Sequence, residues 1–344
     1  MQLTTVPDSR YGQRAGTFEV SFVPASRFVE DGLIESQLLL AVVQYGTHAP
    51  YSLSASCPSV VIPMRQLNEE QLVEVWTSSM PVVTGQRDGI YHATNGQALF
   101  GVCRLEEPEG GSLETITCNM YRNILRLVDE EGYPNLLRAW NYLSDINEEQ
   151  DDLERYRRFC VGRYNAFTEL DPNLERPLPA GSGVGTTVRG LLVYFVASRE
   201  AGKPIENPRQ VNAYDYPPQY GPRSPSFSRA MVMDWGMRRH LFLSGTASIV
   251  EHQTLHIDNV RAQLAETLRN IRALLERAAN VAASDSRSLF AEPLLKVYIR
   301  HARDFPLIQE LLTQELGENI PIIYLNGDLC RRELLVEIEG IYRQ

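Results

Sequence analysis

An internal repeat of a helix, a strand and a second helix is the feature that most constrains this fold. In the second half, apolar residues recur at steps of three and four, which predicts an amphipathic helix. They are Val260, Leu264, Leu268, Ile271, Leu275 and Ala278. A strand at 294–299 follows, and then a helix around 307–312 that ends at Gly317. Each half is predicted to be a small sheet covered by two helices.

The first half has the same order of elements. Its helical stripe consists of Ile116, Met120, Ile124, Leu127 and Val128. A strand at 136–142 and a helix at 148–160, ending at Gly162, follow. A longer surface loop at 281–291 accounts for the different spacing of the second copy. The alternative is that two unrelated α/β segments share this order by chance.

Composition divides the chain and limits its partners. Residues 171–189 are rich in proline and glycine and are predicted to be a linker between domains at 1–170 and 190–344. A chain of 344 residues commonly forms two domains. The net charge of −10 disfavours nucleic acid and anionic membranes as partners. The N-terminus lacks the pattern of a signal peptide, so we expect a cytoplasmic protein.

Several familiar site motifs do not occur in this sequence. The glycine run at 181–185 lacks the spacing of a dinucleotide or phosphate loop and of a serine elbow, which favours a simple connection. His252 and His256 are four residues apart but lack a third ligand, so we interpret them as helix-surface residues and predict no metal site. The five scattered cysteines are expected to be reduced thiols.

The segment 206–230 combines five prolines with large polar side chains. Arginine and tyrosine can both bind carboxylates, so this segment is a candidate anion pocket. Its candidates are Arg209, Tyr214, Tyr216, Tyr220, Arg223 and Arg229. The alternative is a proline-stiffened surface crossing in which arginine stems pack on tyrosines.

The last predicted strand, at 334–341, carries two carboxylates. Strand alternation places Glu337 and Glu339 on one face, about 7 Å apart. If water is excluded, each would raise the pKa of the other, as a general acid requires. The alternative is an edge strand with one solvated face. Cys330, just before this strand, is either an apolar filler or a reactive thiol.

Taken in order, these motifs resemble a known family. The sequences GPRS at 221–224, LSGT at 243–246 and VEIE at 336–339, around the helix–strand–helix, resemble the RidA (YjgF) fold from about residue 190 onward. The whole segment 206–230, with RY at 155–156 and GRYNAF at 162–167, is more narrowly similar to the chorismatases. The second resemblance spans most of the chain.

The resemblance implies an α/β (α+β) fold of two chorismate-mutase-like or RidA-like halves, each a mixed sheet covered by helices, with the first half degenerate. It implies a homotrimer and no metal or organic cofactor. Chorismate would be the substrate, with Arg163 and Arg223 binding its carboxylates. Tyr156, Tyr214 and Tyr216 would orient it.

By the same resemblance, Glu337 is the acid that protonates the enolpyruvyl methylene carbon and releases pyruvate. Gly245 and Cys330 match the branch that forms 3-hydroxybenzoate, and some relatives also form 4-hydroxybenzoate. The glycine would leave room for the substrate ring, and the cysteine would assist the later rearrangement.

Two rival functions are a RidA-like enamine or imine deaminase and a non-catalytic small-ligand-binding protein of the same fold. The deaminases carry an arginine where this chain has Ile322, which counts against the first rival.

Overall fold

The fold is described from a computed structural model for residues 18–30, 38–46, 57–108, 110–187, 189–236, 238–281 and 292–344. The extreme N-terminus and all but the first residue of the predicted loop at 281–291 lie outside these ranges. Within them, no helix is both long and apolar enough to cross a membrane.

The N-terminal segment forms a four-stranded sheet in the order β1-β5-β2-β3. Its elements are β1 (Phe18–Pro24), α1 (Ala25–Glu30), β2 (Leu39–Tyr45), β3 (Ser59–Ile62), β4 (Arg65–Gln66) and β5 (Leu72–Ser78). The short strand β4 leaves this sheet and pairs with the second repeat. The repeat analysis did not predict this third sheet.

The first repeat forms a six-stranded sheet. Its elements are β6 (Val83–Arg87), β7 (Ile90–Thr94), β8 (Ala98–Leu105), α2 (Leu113–Glu130), β9 (Asn135–Ser144), β10 (Glu149–Gln150), β11 (Leu153–Glu154), α3 (Arg155–Leu170), β12 (Ala180–Thr186) and β13 (Leu191–Ser198). The strand order is β12-β9-β13-β8-β7-β6. Every residue of the predicted stripe on α2 is buried, because that face packs on the sheet.

The second repeat forms a seven-stranded sheet. Its elements are β14 (Lys203–Ile205), β15 (Ala230–Asp234), β16 (Arg239–Ala247), β17 (Ile249–Val250), β18 (Gln253–Thr254), α4 (Val260–Val281), β19 (Glu292–Ile299), α5 (Phe305–Leu316), β20 (Ile322–Asn326) and β21 (Val336–Arg343). The strand order is β14-β15-β16-β21-β19-β20-β4.

The two sheets confirm the predicted α/β class and the repeat. The order β12-β9-β13-β8 in the first sheet matches β20-β19-β21-β16 in the second. In both sheets the outer pair is parallel, and the third strand is antiparallel to both of its neighbours. β13 of the first repeat therefore corresponds to β21 of the second.

Two predicted boundaries in the first half are wrong. The helix predicted at 148–160 is α3, which begins at Arg155, because β10 and β11 form a hairpin whose turn holds Asp151 and Asp152 at positive φ. The predicted linker at 171–189 contains β12, and β13 also belongs to the first sheet. The chain passes to the second sheet only after β13.

Two other expectations are corrected. β21 is an interior strand between β16 and β19, so the alternative of a solvated edge strand is excluded. His252 lies in the turn between β17 and β18, and His256 lies in the loop before α4, so neither is on a helix.

The three larger sheets share one apolar core. It contains Trp76 from the N-terminal sheet, Trp140 from the first repeat and Phe242 from the second. Helices α2 and α3 cover the outer face of the first sheet, and α4 and α5 cover that of the second. The inner faces therefore meet one another, and the predicted site residues lie where the two repeats meet.

Candidate active site

Glu337 is a buried carboxylic acid without a charged partner. It is the second residue of β21 and is only 3% exposed. Burial, reinforced by the nearby charge of Glu339, raises its pKa to about 8 in spite of Arg138 and Arg229. Among the residues that the structure describes, none donates a hydrogen bond to this carboxyl or forms an ion pair with it. Glu337 is therefore neutral near pH 7.

Glu339 lies on the same face, but its surroundings are different. Arg138 donates to its Oε2 at 2.7 Å, and Lys296 lies 3.1 Å from its Oε1. Burial alone would raise the pKa of Glu339, but Lys296 and Arg138 outweigh burial and lower it. Glu339 is ionised and structural, and of these two carboxyl groups Glu337 is the one with the electrostatics of a proton donor.

Gly245 on β16 makes room for the acid. A Cβ atom at this position would overlap Oε1 of Glu337. The carboxyl group of Glu337 thus occupies the space that a side chain at position 245 would fill. The family resemblance implied instead that Gly245 leaves room for a substrate ring. Any side chain at 245 would force Glu337 to move.

The glycine run that was predicted to be a connection forms a bare face of β12. A Cβ on Gly181 would lie 3.2 Å from Nη1 of Arg163, and one on Gly183 would lie 3.0 Å from the Tyr156 ring. Tyr156 and Arg163 are two turns apart on α3, so they share a helix face. Alternating glycines let this helix face approach the strand closely.

Arg163 is a buried cation with unused donors. Its guanidinium stacks on the Tyr121 ring at 4.7 Å and on the Phe167 ring at 5.5 Å. Within the described part of the chain, its Nε and Nη2 have no hydrogen-bond partner. Arg163 lines a small cavity of about 30 Å³ together with Glu337 and Gly245. Unpaired buried donors are unfavourable, so this group is suited to an oxyanion ligand.

A larger cavity of about 340 Å³ adjoins the small one and shares Gly245 and Glu337 with it. Its lining includes Tyr156, Tyr216, Tyr220, Arg229, Gly245, Cys330, Arg331 and Glu337. Nη2 of Arg229 donates to the Tyr216 hydroxyl at 2.8 Å, and its Nε has no partner among the described residues. Arg229 is thus a second cation available to a ligand.

Cys330 lies beside Glu337 on the loop before β21, and Arg300 holds this loop in place. Arg300 donates to the backbone carbonyls of Leu334 at 2.7 Å and Arg331 at 2.9 Å, and it pairs with Asp328 at 2.5 Å. Burial and the nearby Glu337 raise the pKa of the Cys330 thiol. The group is therefore a thiol at neutral pH and is not an activated nucleophile.

The candidates from the segment 206–230 separate onto two sides of it. Tyr214 and Arg223 line a different cavity of about 760 Å³, where Arg223 stacks on Tyr164 at 4.4 Å. Arg209 pairs with Glu266. The structure therefore groups Tyr156, Arg163, Tyr216, Gly245, Cys330 and Glu337, and does not bring Tyr214 or Arg223 to them. Arg229 lines the cavity that holds Glu337, whereas Arg223 lines the other cavity.

Comparison with known proteins identifies the family. The family model for the FkbO/Hyg5-like chorismatase N-terminal domain matches residues 74–197. A chorismatase of Streptomyces rapamycinicus is 36% identical over 334 residues, which cover 92% of this chain and 97% of that protein. A 3-hydroxybenzoate synthase of Streptomyces hygroscopicus is 36% identical over 88% of this chain and 91% of that protein.

A solved structure agrees with these relatives. The crystal structure of a chorismatase covers 96% of this chain and 100% of its own, with 33% sequence identity and a TM-score of 0.85. The similarity includes both repeats and the seam between them. This chain belongs to the chorismatase family.

Proposed function

We propose that this protein cleaves the enolpyruvyl ether of chorismate to give pyruvate and 3-hydroxybenzoate. The observation that carries the proposal is that a neutral buried acid, Glu337, lies in one site with two cations, Arg163 and Arg229, each of which has at least one buried donor without a partner among the described residues. Chorismate has two carboxylates and an acid-labile vinyl ether, so its charges and its reactive group match this set.

In the proposed complex, the two substrate carboxylates bind Arg163 and Arg229. Each arginine has donors free for a carboxylate, and charge-assisted hydrogen bonds of this kind are among the strongest available in a site. The Tyr156 ring and the Tyr216 hydroxyl would then fix the substrate between β12 and the segment 206–230. In this proposal, Arg229 takes the role that the family resemblance implied for Arg223, and Tyr214 has no role in binding.

Glu337 would donate its proton to the terminal methylene carbon of the enolpyruvyl group. The adjacent ether carbon becomes an oxocarbenium centre, which the ring's own hydroxyl attacks, and the bond from this carbon to the original ether oxygen then breaks. The transferred oxygen leaves the ring as the ketone oxygen of pyruvate. Loss of the ring proton beside the retained oxygen gives 3-hydroxybenzoate and restores the proton that Glu337 donated. Pyruvate and hydroxybenzoate together contain all the atoms of chorismate, so the balanced reaction consumes neither water nor an oxidant. A diol product would instead consume one water molecule.

The choice of an aromatic product rests on Gly245 and Cys330. Because Gly245 has no side chain, the Glu337 carboxyl can lie against β16 and leave the base of the cavity open. The neutral Cys330 thiol lies beside the acid and is a weak donor for a rearranging ring. A relative named as a 3-hydroxybenzoate synthase supports this product. A share of 4-hydroxybenzoate is the further possibility that the resemblance implied.

The test is to incubate purified protein with chorismate and to identify the products by chromatography, with enzymatic assay of pyruvate. We expect equal amounts of pyruvate and hydroxybenzoate. Absence of pyruvate would contradict the function, and pyruvate with only a non-aromatic diol would contradict the roles of Gly245 and Cys330. Ammonia from an enamine or imine substrate would favour the deaminase. Chorismate binding without turnover would favour the non-catalytic binder.

The expected homotrimer and the cytoplasmic location remain predictions. Sedimentation of the purified full chain would test the trimer. Cell fractionation would test the location.

A further inference from the structure

A line of buried charges connects the N-terminal sheet to the strand that carries the acid. Glu74 on β5 lies 3.0 Å from Nζ of Lys296 on β19, and the same Nζ lies 3.1 Å from Glu339 on β21. Arg138 on β9 completes the line with its 2.7 Å contact to Glu339. None of these four side chains is more than 3% exposed. Their charges therefore act across a medium that screens weakly.

The four charges cancel. Glu74 and Glu339 supply two negative charges, and Lys296 and Arg138 supply two positive ones. Burial would lower the pKa of Lys296, but Glu74 and Glu339 raise it, so the ammonium stays charged. The cluster as a whole therefore adds no net charge beside Glu337: the charge of Glu339 raises the pKa of Glu337, and that of Arg138 opposes it. If Glu74 lost its charge, one net positive charge would face Glu337 and favour its ionised form.

The other groups that face Glu337 do not supply this control. Tyr156 from α3 and Cys330 from the loop before β21 are neutral, because burial raises the pKa of both. Arg300 is paired with Asp328. Arg163 and Arg229 line the cavities that hold Glu337 and, in the proposed complex, would be paired with the substrate carboxylates. In that complex, the cluster of four is a fixed set of charges that the substrate does not neutralise.

Glu74 is held by neutral donors on its own sheet. The Tyr45 hydroxyl donates to its Oε2 at 2.7 Å, and the indole Nε1 of Trp76 donates to its Oε1 at 2.8 Å. These bonds fix the carboxylate beside Lys296, far along the line from the cavity. Glu74 itself does not line the cavity that holds Glu337.

We propose that Glu74 is a positioning residue for the reaction, which acts through Lys296 and Glu339 to keep Glu337 in its neutral form. This proposal rests on the proposed role of Glu337 as the acid. It gives the N-terminal sheet a part in catalysis, although that sheet contributes no residue to the cavity lining.

The test is the pH dependence of pyruvate release by the full chain. Above the pKa of the acid, kcat of the unaltered protein falls as Glu337 ionises. We expect Glu74→Gln to shift this alkaline limb to lower pH by on the order of one unit. Tyr45→Phe removes a hydrogen bond but no charge, so its alkaline limb should not move. Lys296→Met should shift the limb to higher pH.

A double variant separates charge from packing. Glu74→Gln with Lys296→Met removes one charge of each sign, so its alkaline limb should return close to that of the unaltered protein. An unmoved limb in Glu74→Gln would overturn the proposal. So would a double variant that shows no return toward the unaltered limb. If Glu74→Gln does not fold, Lys296→Met and the double variant still give opposed predictions.

A direct titration keeps this test apart from the proposed function. Carbon-13 NMR of labelled glutamate, with the Glu337 signal assigned by its loss in Glu337→Gln, reports the protonation of Glu337 without turnover. If the unaltered protein releases no pyruvate, the proposed function fails, but the shift of this titration in Glu74→Gln still decides whether Glu74 controls Glu337.

Discussion

The two repeats place different residues at the same point of the same sheet. The sequences LLR at 136–138 on β9 and LLK at 294–296 on β19 align Arg138 with Lys296. With that alignment, strand pairing equates Tyr194 on β13 with Glu337 on β21. In the first repeat the position is filled by a ring that stacks on Trp140 at 4.4 Å. In the second it holds an acid beside a cavity. The Tyr194 hydroxyl also accepts from Lys296 and donates to Glu74, so the first copy contributes to the buried charge cluster, whereas the second carries the acid.

The two repeats contribute different residues to one charge cluster and one site. The matched cations Arg138 and Lys296 both turn inward and both bind Glu339, so the two copies cooperate in one charge cluster. The first repeat also supplies Tyr156 and Arg163, while the second supplies Glu337. Neither repeat contains a complete site, and the site lies at the seam.

The sharpest way to break this comparison is to remove the acid. Glu337→Gln keeps the shape but cannot donate the proton, so we expect kcat to fall roughly 10²–10⁴-fold with little change in chorismate binding. The counterpart variant Tyr194→Phe should lower kcat by no more than about threefold. Pyruvate assays and calorimetric binding measure both effects. A Glu337→Gln protein with more than about a tenth of the activity would refute the assignment.

The pH dependence of stability should also distinguish the two positions. Glu337 has a pKa of about 8 in the folded protein and about 4.5 when exposed. The unfolded chain therefore loses this proton first, and stability falls as pH rises from about 4.5 to 8.

Glu337→Gln should remove that fall, worth about 2–4 kcal/mol by pH 8. Urea unfolding at several pH values measures it. Tyr194→Phe provides the control, because it leaves Glu337 in place and should keep the wild-type slope over this range. Parallel curves for Glu337→Gln and the wild type would contradict a raised pKa.

Arg138 and Arg163, both buried in the first repeat, should respond differently to substitution. Arg163 has unused donors, so Arg163→Gln should raise KM for chorismate about 10–100-fold and leave the fold intact. Arg138 is paired with Glu339, so Arg138→Met should destabilise the protein by about 3–5 kcal/mol. Kinetics and thermal unfolding of both variants measure this. A stability loss for Arg163→Gln as large as for Arg138→Met would show that Arg163 is structural.

Gly245 in the second repeat and Gly101 in the first each leave space that a side chain of the neighbouring strand fills. A Cβ at Gly245 would meet the Glu337 carboxyl, whereas one at Gly101 would meet the Phe195 ring. Gly245→Ala should therefore displace the acid and lower kcat about tenfold, with a small change in stability.

Gly101→Ala is the comparison variant in the first repeat, where the Phe195 ring lies on the face covered by α2 and α3. It should overpack the first sheet and cost about 1–3 kcal/mol of stability with kcat nearly unchanged. The comparison uses kcat and the free energy of unfolding for both proteins. If Gly245→Ala lost stability and kept its kcat, the acid would not depend on this glycine.

Periodic parts of the fold could be predicted from the sequence. The apolar stripes located α2 and α4, and the short apolar run located β19. The start of α3 was not predicted because the β10–β11 hairpin before it, whose turn contains Asp151 and Asp152, is too short to show strand alternation. β12 was missed because its glycines suggested a connection, although their period of two is the strand signal.

The site was predictable only in part. Glu337 could not be distinguished from Glu339 by alternation, since the difference arises from Arg138 and Lys296, which are distant in sequence. The segment 206–230 has two short 3-10 turns and no regular period, so the sequence could not say which side each residue faces. Tyr216 and Arg229 face the acid, whereas Tyr214 and Arg223 face away.

The core shared by the three sheets has a consequence for how this chain folds. Chains of this length commonly divide into domains that unfold one after another. Here Trp76, Trp140 and Phe242 belong to different sheets but to one core. No sheet can therefore unfold without exposing the apolar faces of the other two. Denaturation should be a single cooperative event, and a cut between β13 and β14 should leave two fragments that remain associated and cannot fold apart.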